Sequence, residues 1–132
     1  MILKRISLLV VVTIALTAVS CKKDKTDDTV NGKFQGRWLE SSAKAASIVV
    51  STPPAGETNL PNLTMHIAST GYFFMYRFNS AGDSIYISDL STGGAKNVPY
   101  KITFSDNDQS FTIKKFHTAL PNVDPLTFNK QK

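Results

Sequence analysis

Val98-Pro99-Tyr100-Lys101-Ile102-Thr103-Phe104-Ser105 sets large apolar side chains at every second position, at Val98, Tyr100, Ile102 and Phe104, against Pro99, Lys101, Thr103 and Ser105. Successive side chains of an extended chain point to opposite faces, so this spelling predicts a strand with one buried face and one wet face. Ser105-Asp106-Asn107-Asp108-Gln109 follows, a run of residues that bond their own backbone in turns. Beyond it Phe111 and Ile113 alternate with Thr112 and Lys114. The whole reads as a β-hairpin.

The same spelling recurs on both sides. Tyr72, Phe74, Tyr76 and Phe78 share one face of a strand whose other face carries Phe73, Met75 and Arg77, and Ser80-Ala81-Gly82-Asp83 turns that strand into Ile85-Tyr86-Ile87. Thr64 to Ala68 precedes it across Ser69-Thr70-Gly71, Leu126 and Phe128 alternate with Thr127 and Asn129, and Arg37 to Ser42 and Ile48 to Val50 supply two more segments. No window has the i, i+3, i+4 periodicity of a capped helix, and Ser42 to Ala46 is at most one turn. About eight short strands with regular turn signals predict an all-β domain over residues 34–132. A small antiparallel up-and-down barrel and a β-sandwich both fit that count, with sequential hairpins marking the one and Greek-key crossings the other.

All 13 aromatic residues fall in that domain. Ahead of it, Met1 to Arg5 is a short basic start, Ile6 to Leu16 an apolar run, and Thr17-Ala18-Val19-Ser20 a mostly small-residue close before Cys21. This is the three-part build of a secretory signal peptide over residues 1–20, and its apolar run is short of the roughly 20 residues a membrane-spanning helix needs. Its removal would take Lys4 and Arg5 with it and lower the formal charge from +5 to +3. One cysteine forms no internal disulfide, and so mild a charge gives no electrostatic case for nucleic acid.

Ala18-Val19-Ser20-Cys21 resembles the lipobox of bacterial lipoproteins. The resemblance implies that Cys21 is acylated on sulfur and, once it becomes the amino terminus, on nitrogen. Several chains on one residue hold stably where one chain binds only reversibly. Residues 21–33, with Lys22, Lys23, Lys25 and Lys33 among Asp24, Asp27 and Asp28, are too polar to bury themselves and read as a flexible tether. Lysine after the cysteine is similar to lipoproteins sent to an outer membrane, and the mixed charges look like surface-export signals of Bacteroidota lipoproteins, so the expected place is periplasmic or cell-surface. Asp28-Thr29-Val30 and Asp83-Ser84-Ile85 look like O-glycosylation sites of the same lineage, at Thr29 and Ser84.

Gly36-Arg37-Trp38 resembles the Gly-x-Trp signature on the first strand of lipocalins and their bacterial relatives. The resemblance implies an eight-stranded up-and-down barrel, and so favours the barrel over the sandwich, closed at one end by Trp38 beneath a basic residue of the last strand, here Lys130. The lipocalin Thr-Asp motif between middle strands is absent, and lysine stands where that family has arginine.

The sequence is thin in chemistry. His66 and His117 are far apart in the chain, with no third ligand at metal spacing beside either, and His66 is expected to face solvent. The domain's aspartates fall in turns or at strand ends, and Glu40, on the face of Trp38, is expected first to be an exposed strand residue and, if that face is inward, a buried polar handle for a ligand or the mark of a wet barrel mouth. Nucleophile, phosphate-loop and zinc-helix motifs do not occur. Lys101, Lys114 and Lys115 read as a wet strand face rather than a nucleic-acid footprint. The chain therefore reads as a non-enzymatic binding protein, with no cofactor or metal. Trp38, Tyr72, Phe74, Tyr76, Phe78, Tyr100 and Phe104 are the candidate lining for a small apolar or amphipathic ligand. Alternatively those rings fill the barrel, and its outer face contacts another envelope protein.

Overall fold

The computed structural model describes residues 29–52, 56–57 and 60–132. The signal segment, Cys21 and most of the tether lie outside them. A short helix, α1 (Val30–Phe34), leads into eight strands: β1 (Gly36–Glu40), β2 (Ala46–Val50), β3 (Leu63–Ile67), β4 (Thr70–Phe78), β5 (Ser84–Asp89), β6 (Val98–Phe104), β7 (Ser110–Ile113) and β8 (Leu126–Lys130). Each strand pairs antiparallel with the next, and β8 pairs with β1 to close a barrel. Every connection joins neighbours, so the architecture is the up-and-down barrel, and the sandwich alternative falls for want of a crossover. Closure leaves no strand edge open to pairing.

Alternation does the sorting. On β4, Phe74 is 1% exposed whereas its neighbour Phe73 is 52% exposed, because consecutive side chains leave opposite faces of the wall. Ala46, Ile48 and Val50 of β2 and Phe111 and Ile113 of β7 are buried on the same principle. Inward rows from all eight strands meet in one apolar core. Across the β7–β8 pairing Phe111 sits opposite Phe128, and their rings stack at 5.1 Å. The hairpin predicted after Phe104 closes by the Ser105 amide donating to the Ser110 carbonyl at 2.9 Å, with Asp108 left-handed at φ 55°.

Helix α1 was not legible from periodicity, and it extends the folded body upstream into residues assigned to the tether. Five residues give no measurable period, but the start carries a cap: the Thr29 hydroxyl accepts from the Gly32 amide at 3.2 Å. Phe34, on the buried side, anchors the helix across the end of the barrel where β1 begins. That α1 end also holds the β2–β3, β4–β5 and β6–β7 connections. The far end holds the other hairpin turns and a long connection, residues 114–125, between β7 and β8.

Candidate functional site

The seven aromatics proposed as a ligand lining lie on the inner face, where the alternation puts them. There they meet one another and two inserted plugs. At the α1 end the Phe34 ring sits edge-on to Tyr76 at 5.0 Å, Phe78 at 5.6 Å, Phe104 at 6.2 Å and Phe111 at 5.3 Å. Edge-to-face pairs at these separations are favourable beyond the area they bury. Burial pushes the Tyr76 phenol up to about 12, against the Gln35 side-chain amide, which donates to its oxygen at 3.2 Å and works the other way.

Beneath Phe34 the three residues of the Gly-x-Trp resemblance form one unit. Trp38 is fully buried and its indole N–H donates to the Phe34 carbonyl at 2.9 Å. The Lys130 ammonium stands 5.0 Å from the Trp38 ring centre and donates to the Lys33 carbonyl at 3.1 Å. Gly36 has φ +115°, a conformation that L side chains rarely adopt, and a Cβ there would lie 3.6 Å from the Lys130 stem. The helix, the first strand and the last strand are thus tied through Trp38.

At the far end the 114–125 connection folds inward. Phe116 packs edge-on against Phe74 at 5.6 Å and near Tyr100 at 6.2 Å, His117 lies 4.5 Å from the Tyr72 ring, and Leu120 is buried. The His117 Nδ1 accepts from the Ala119 amide at 3.2 Å, which fixes the ring under the connection. Burial raises the Tyr100 phenol as well. Sequence reasoning gave no role to Phe34, Phe116, His117 or Leu120. Their only signal was an aromatic or leucine side chain outside any alternating run.

Glu40 corrects an expectation. Instead of an exposed strand residue it is 0% exposed, at the far end of β1 beneath the turn that follows. Its carboxylate accepts from the Ser42 amide at 2.7 Å, the Ser42 hydroxyl at 2.5 Å and the Ala43 amide at 2.9 Å. Burial works to raise its pKa, but these bonds prevail and hold it below the usual carboxylate range. It organises a turn.

His66 is exposed, as its place on β3 implied. Asp83 and Asp89 serve local turns, Asp83 taking the Asn79 amide at 2.6 Å and Asp89 the Ser91 backbone amide at 2.8 Å. Among the described residues no group of three or more His, Cys, Asp or Glu side chains is placed to hold a metal ion. Thr29 is the exposed helix cap, and the Ser84 hydroxyl is turned to Asp83 at 3.2 Å.

Two hollows open beside the plugs. At the α1 end a cleft of about 480 Å³ is lined by Asn31, Gln35, Ser51, Asn62, Tyr76 and Phe78 among others. At the far end a hollow of about 280 Å³ lies between Phe73 and Leu90, with Tyr72, Asp89, Ser91 and His117 around it. Phe73 and Leu90 are two of the four exposed large hydrophobics among the described residues, and the Leu90 amide donates to the Phe73 carbonyl at 3.0 Å. No protein-family model, no curated protein and no solved structure matches the chain.

Proposed function

We propose that this is an envelope lipoprotein, anchored through acylated Cys21, whose solid lipocalin-like barrel is a non-catalytic interaction module that works through its outer surface. The observation that carries the reading is the stoppering of the barrel from both ends, by Phe34 at one and by Phe116 and Leu120 at the other. An interior so occupied leaves the exposed apolar features to do the binding. Two of the four among the described residues, Phe73 and Leu90, flank one hollow, and exposed apolar side chains grouped at a hollow mark contact surfaces.

The position of that cluster suits a protein partner. Cys21 precedes Thr29 by 8 residues, a reach of about 28 Å at full extension, and Thr29 enters at the α1 end. A chain anchored there presents its far end away from the bilayer. The test is a photo-crosslinking residue at position 73 in intact cells. A discrete envelope-protein adduct, lost on Leu90→Asp and missing with the crosslinker at Thr103, is the expected result; equal labelling from both positions overturns the reading. The anchor is tested separately, since Cys21→Ser should release the protein from the membrane fraction.

A second reading is favoured by the 114–125 connection. Phe116 and Leu120 belong to a connection rather than to the wall, so its lifting would open Tyr72, Phe74 and Tyr100 to a small apolar ligand. Long connections without secondary structure often act as lids. Saturable one-to-one uptake of an apolar fluorescent dye, abolished by tethering this connection to β4 through an engineered disulfide, would support it over the first.

A further inference from the structure

The 480 Å³ cleft at the α1 end differs in chemistry from the far-end hollow and is independent of the partner reading. One side is the helix and its exit, with Asn31 and Gln35; the other is the end of β2 and the start of β3, with Ser51, Thr52 and Asn62; between them lie Tyr76 and Phe78. Its size falls in the range of small-molecule sites.

The hydrogen-bonding inventory narrows what fits. Asn62 is committed, its side chain bridging the Tyr76 backbone, with the amide donating to the Tyr76 carbonyl at 3.1 Å and the oxygen accepting from the Tyr76 amide at 2.8 Å. That bridge holds Tyr76 rigidly. The Tyr76 hydroxyl accepts from Gln35 and keeps its own proton to donate, while the Gln35 side-chain oxygen keeps its acceptor capacity. Asn31, Ser51 and Thr52 make no side-chain hydrogen bond among the described residues. The cleft therefore offers both donors and acceptors on neutral groups.

Its charges exclude the main rivals. Among the described residues no carboxylate lines it, so those residues supply none of the charged oxygen ligands that a hard divalent cation needs. Among the described residues Arg77 is its one charged lining residue, and its guanidinium rests 4.0 Å over the Tyr86 ring, so a phosphate group would meet a single cation and no paired clamp. A wholly apolar guest would cover the side chains of Asn31, Ser51 and Thr52 without bonding any of them. What matches is a ligand whose hydroxyls both donate and accept and whose C–H faces can rest on partly buried rings, as Tyr76 and Phe78 provide.

We propose that the cleft between α1 and the β2–β3 end of the barrel binds a neutral sugar unit, either free or as the head group of a glycolipid. Purified full-length protein in detergent micelles would be titrated with neutral oligosaccharides of glucose, galactose, mannose and N-acetylglucosamine, and with uronic-acid and phosphorylated counterparts. At least one neutral sugar should bind, and each of Asn31→Ala, Gln35→Ala and Tyr76→Phe should weaken it by roughly three- to tenfold, the cost of one hydrogen bond. Thr103→Ala, on the outer wall, should leave binding unchanged, and circular dichroism of each variant verifies the fold. Binding confined to acidic members, binding untouched by the three variants, or no binding at millimolar sugar overturns the proposal. With a binding sugar in hand, vesicles carrying it on a glycolipid separate the sources: recruitment that needs the glycolipid assigns the head group, and binding to the free sugar alone assigns a soluble saccharide.

Discussion

Lys130 and Trp38 are cross-strand partners, and the Lys130 ammonium reaches back over the indole to 5.0 Å from its centre while also bonding the carbonyl of Lys33. One cation thus serves an aromatic face and the carbonyl end of α1, both of which favour positive charge. Lys130→Met keeps much of the stem packing and removes both interactions. It should cost about 1–2 kcal/mol in urea unfolding. Lys130→Arg should retain most of the stability, because a guanidinium also stacks on an indole. A Met variant as stable as the parent would mean that the pair is only adjacent.

The plug at the α1 end makes a sharper claim. Phe34 is 1% exposed and touches rings from β4, β6 and β7, although it belongs to a five-residue helix that would not persist alone. Phe34→Ala should therefore cost about 3–5 kcal/mol, as for a large ring removed from a core. It should also shift Trp38 fluorescence, since the two ring centres are 6.3 Å apart. A small loss on Phe34→Ala would place the helix outside the cooperative unit.

Glu40 sets part of the acid limit. Its folded-state pKa lies below the ordinary value of 4.5, so its contribution is present in full above that value and is lost as pH falls through the folded one. Protonation removes a charged acceptor from the Ser42 and Ala43 amides. Glu40→Gln should thus be less stable than the parent at pH 7, with the difference shrinking as the pH is lowered below 4.5. Thermal melts of both proteins from pH 7 to pH 3 measure it, and a constant gap across that range would contradict the role.

The wall of the barrel was legible in the sequence because it is written in a period of two. Tyr72 to Phe78 and Val98 to Phe104 show their buried faces without any knowledge of partners, and the hairpin order follows from Ser80-Ala81-Gly82-Asp83 and Ser105 to Gln109. What filled the wall was not legible. Phe34 and Phe116 lie in segments too short or too irregular to have a period, so their inward direction is decided only by the closed barrel. Glu40 failed for a related reason: position on a strand gives a face, whereas its burial is set by hydrogen bonds from the turn after it. The α1-end cleft was equally hidden, since Asn31 of the short helix and Ser51 and Asn62 beside the strand ends carry no signal until the fold brings them together.

Phe73 and Phe74 separate stability from surface function within one dipeptide. Both are phenylalanines on β4, but Phe74 is enclosed against Phe116 and His117, whereas Phe73 faces outward beside Leu90. Phe74→Ser should cost at least about 3 kcal/mol, because it opens a cavity and places a hydroxyl in an apolar site. Phe73→Ser should change stability by no more than about 0.5 kcal/mol, the usual range for an exposed position. If the far end is a contact surface, that nearly silent substitution should nonetheless abolish the crosslinked adduct formed from a neighbouring probe at Ser91. A Phe73→Ser protein that unfolds as readily as Phe74→Ser would show that the outer ring is structural, and would remove the main physical argument for a partner at that end.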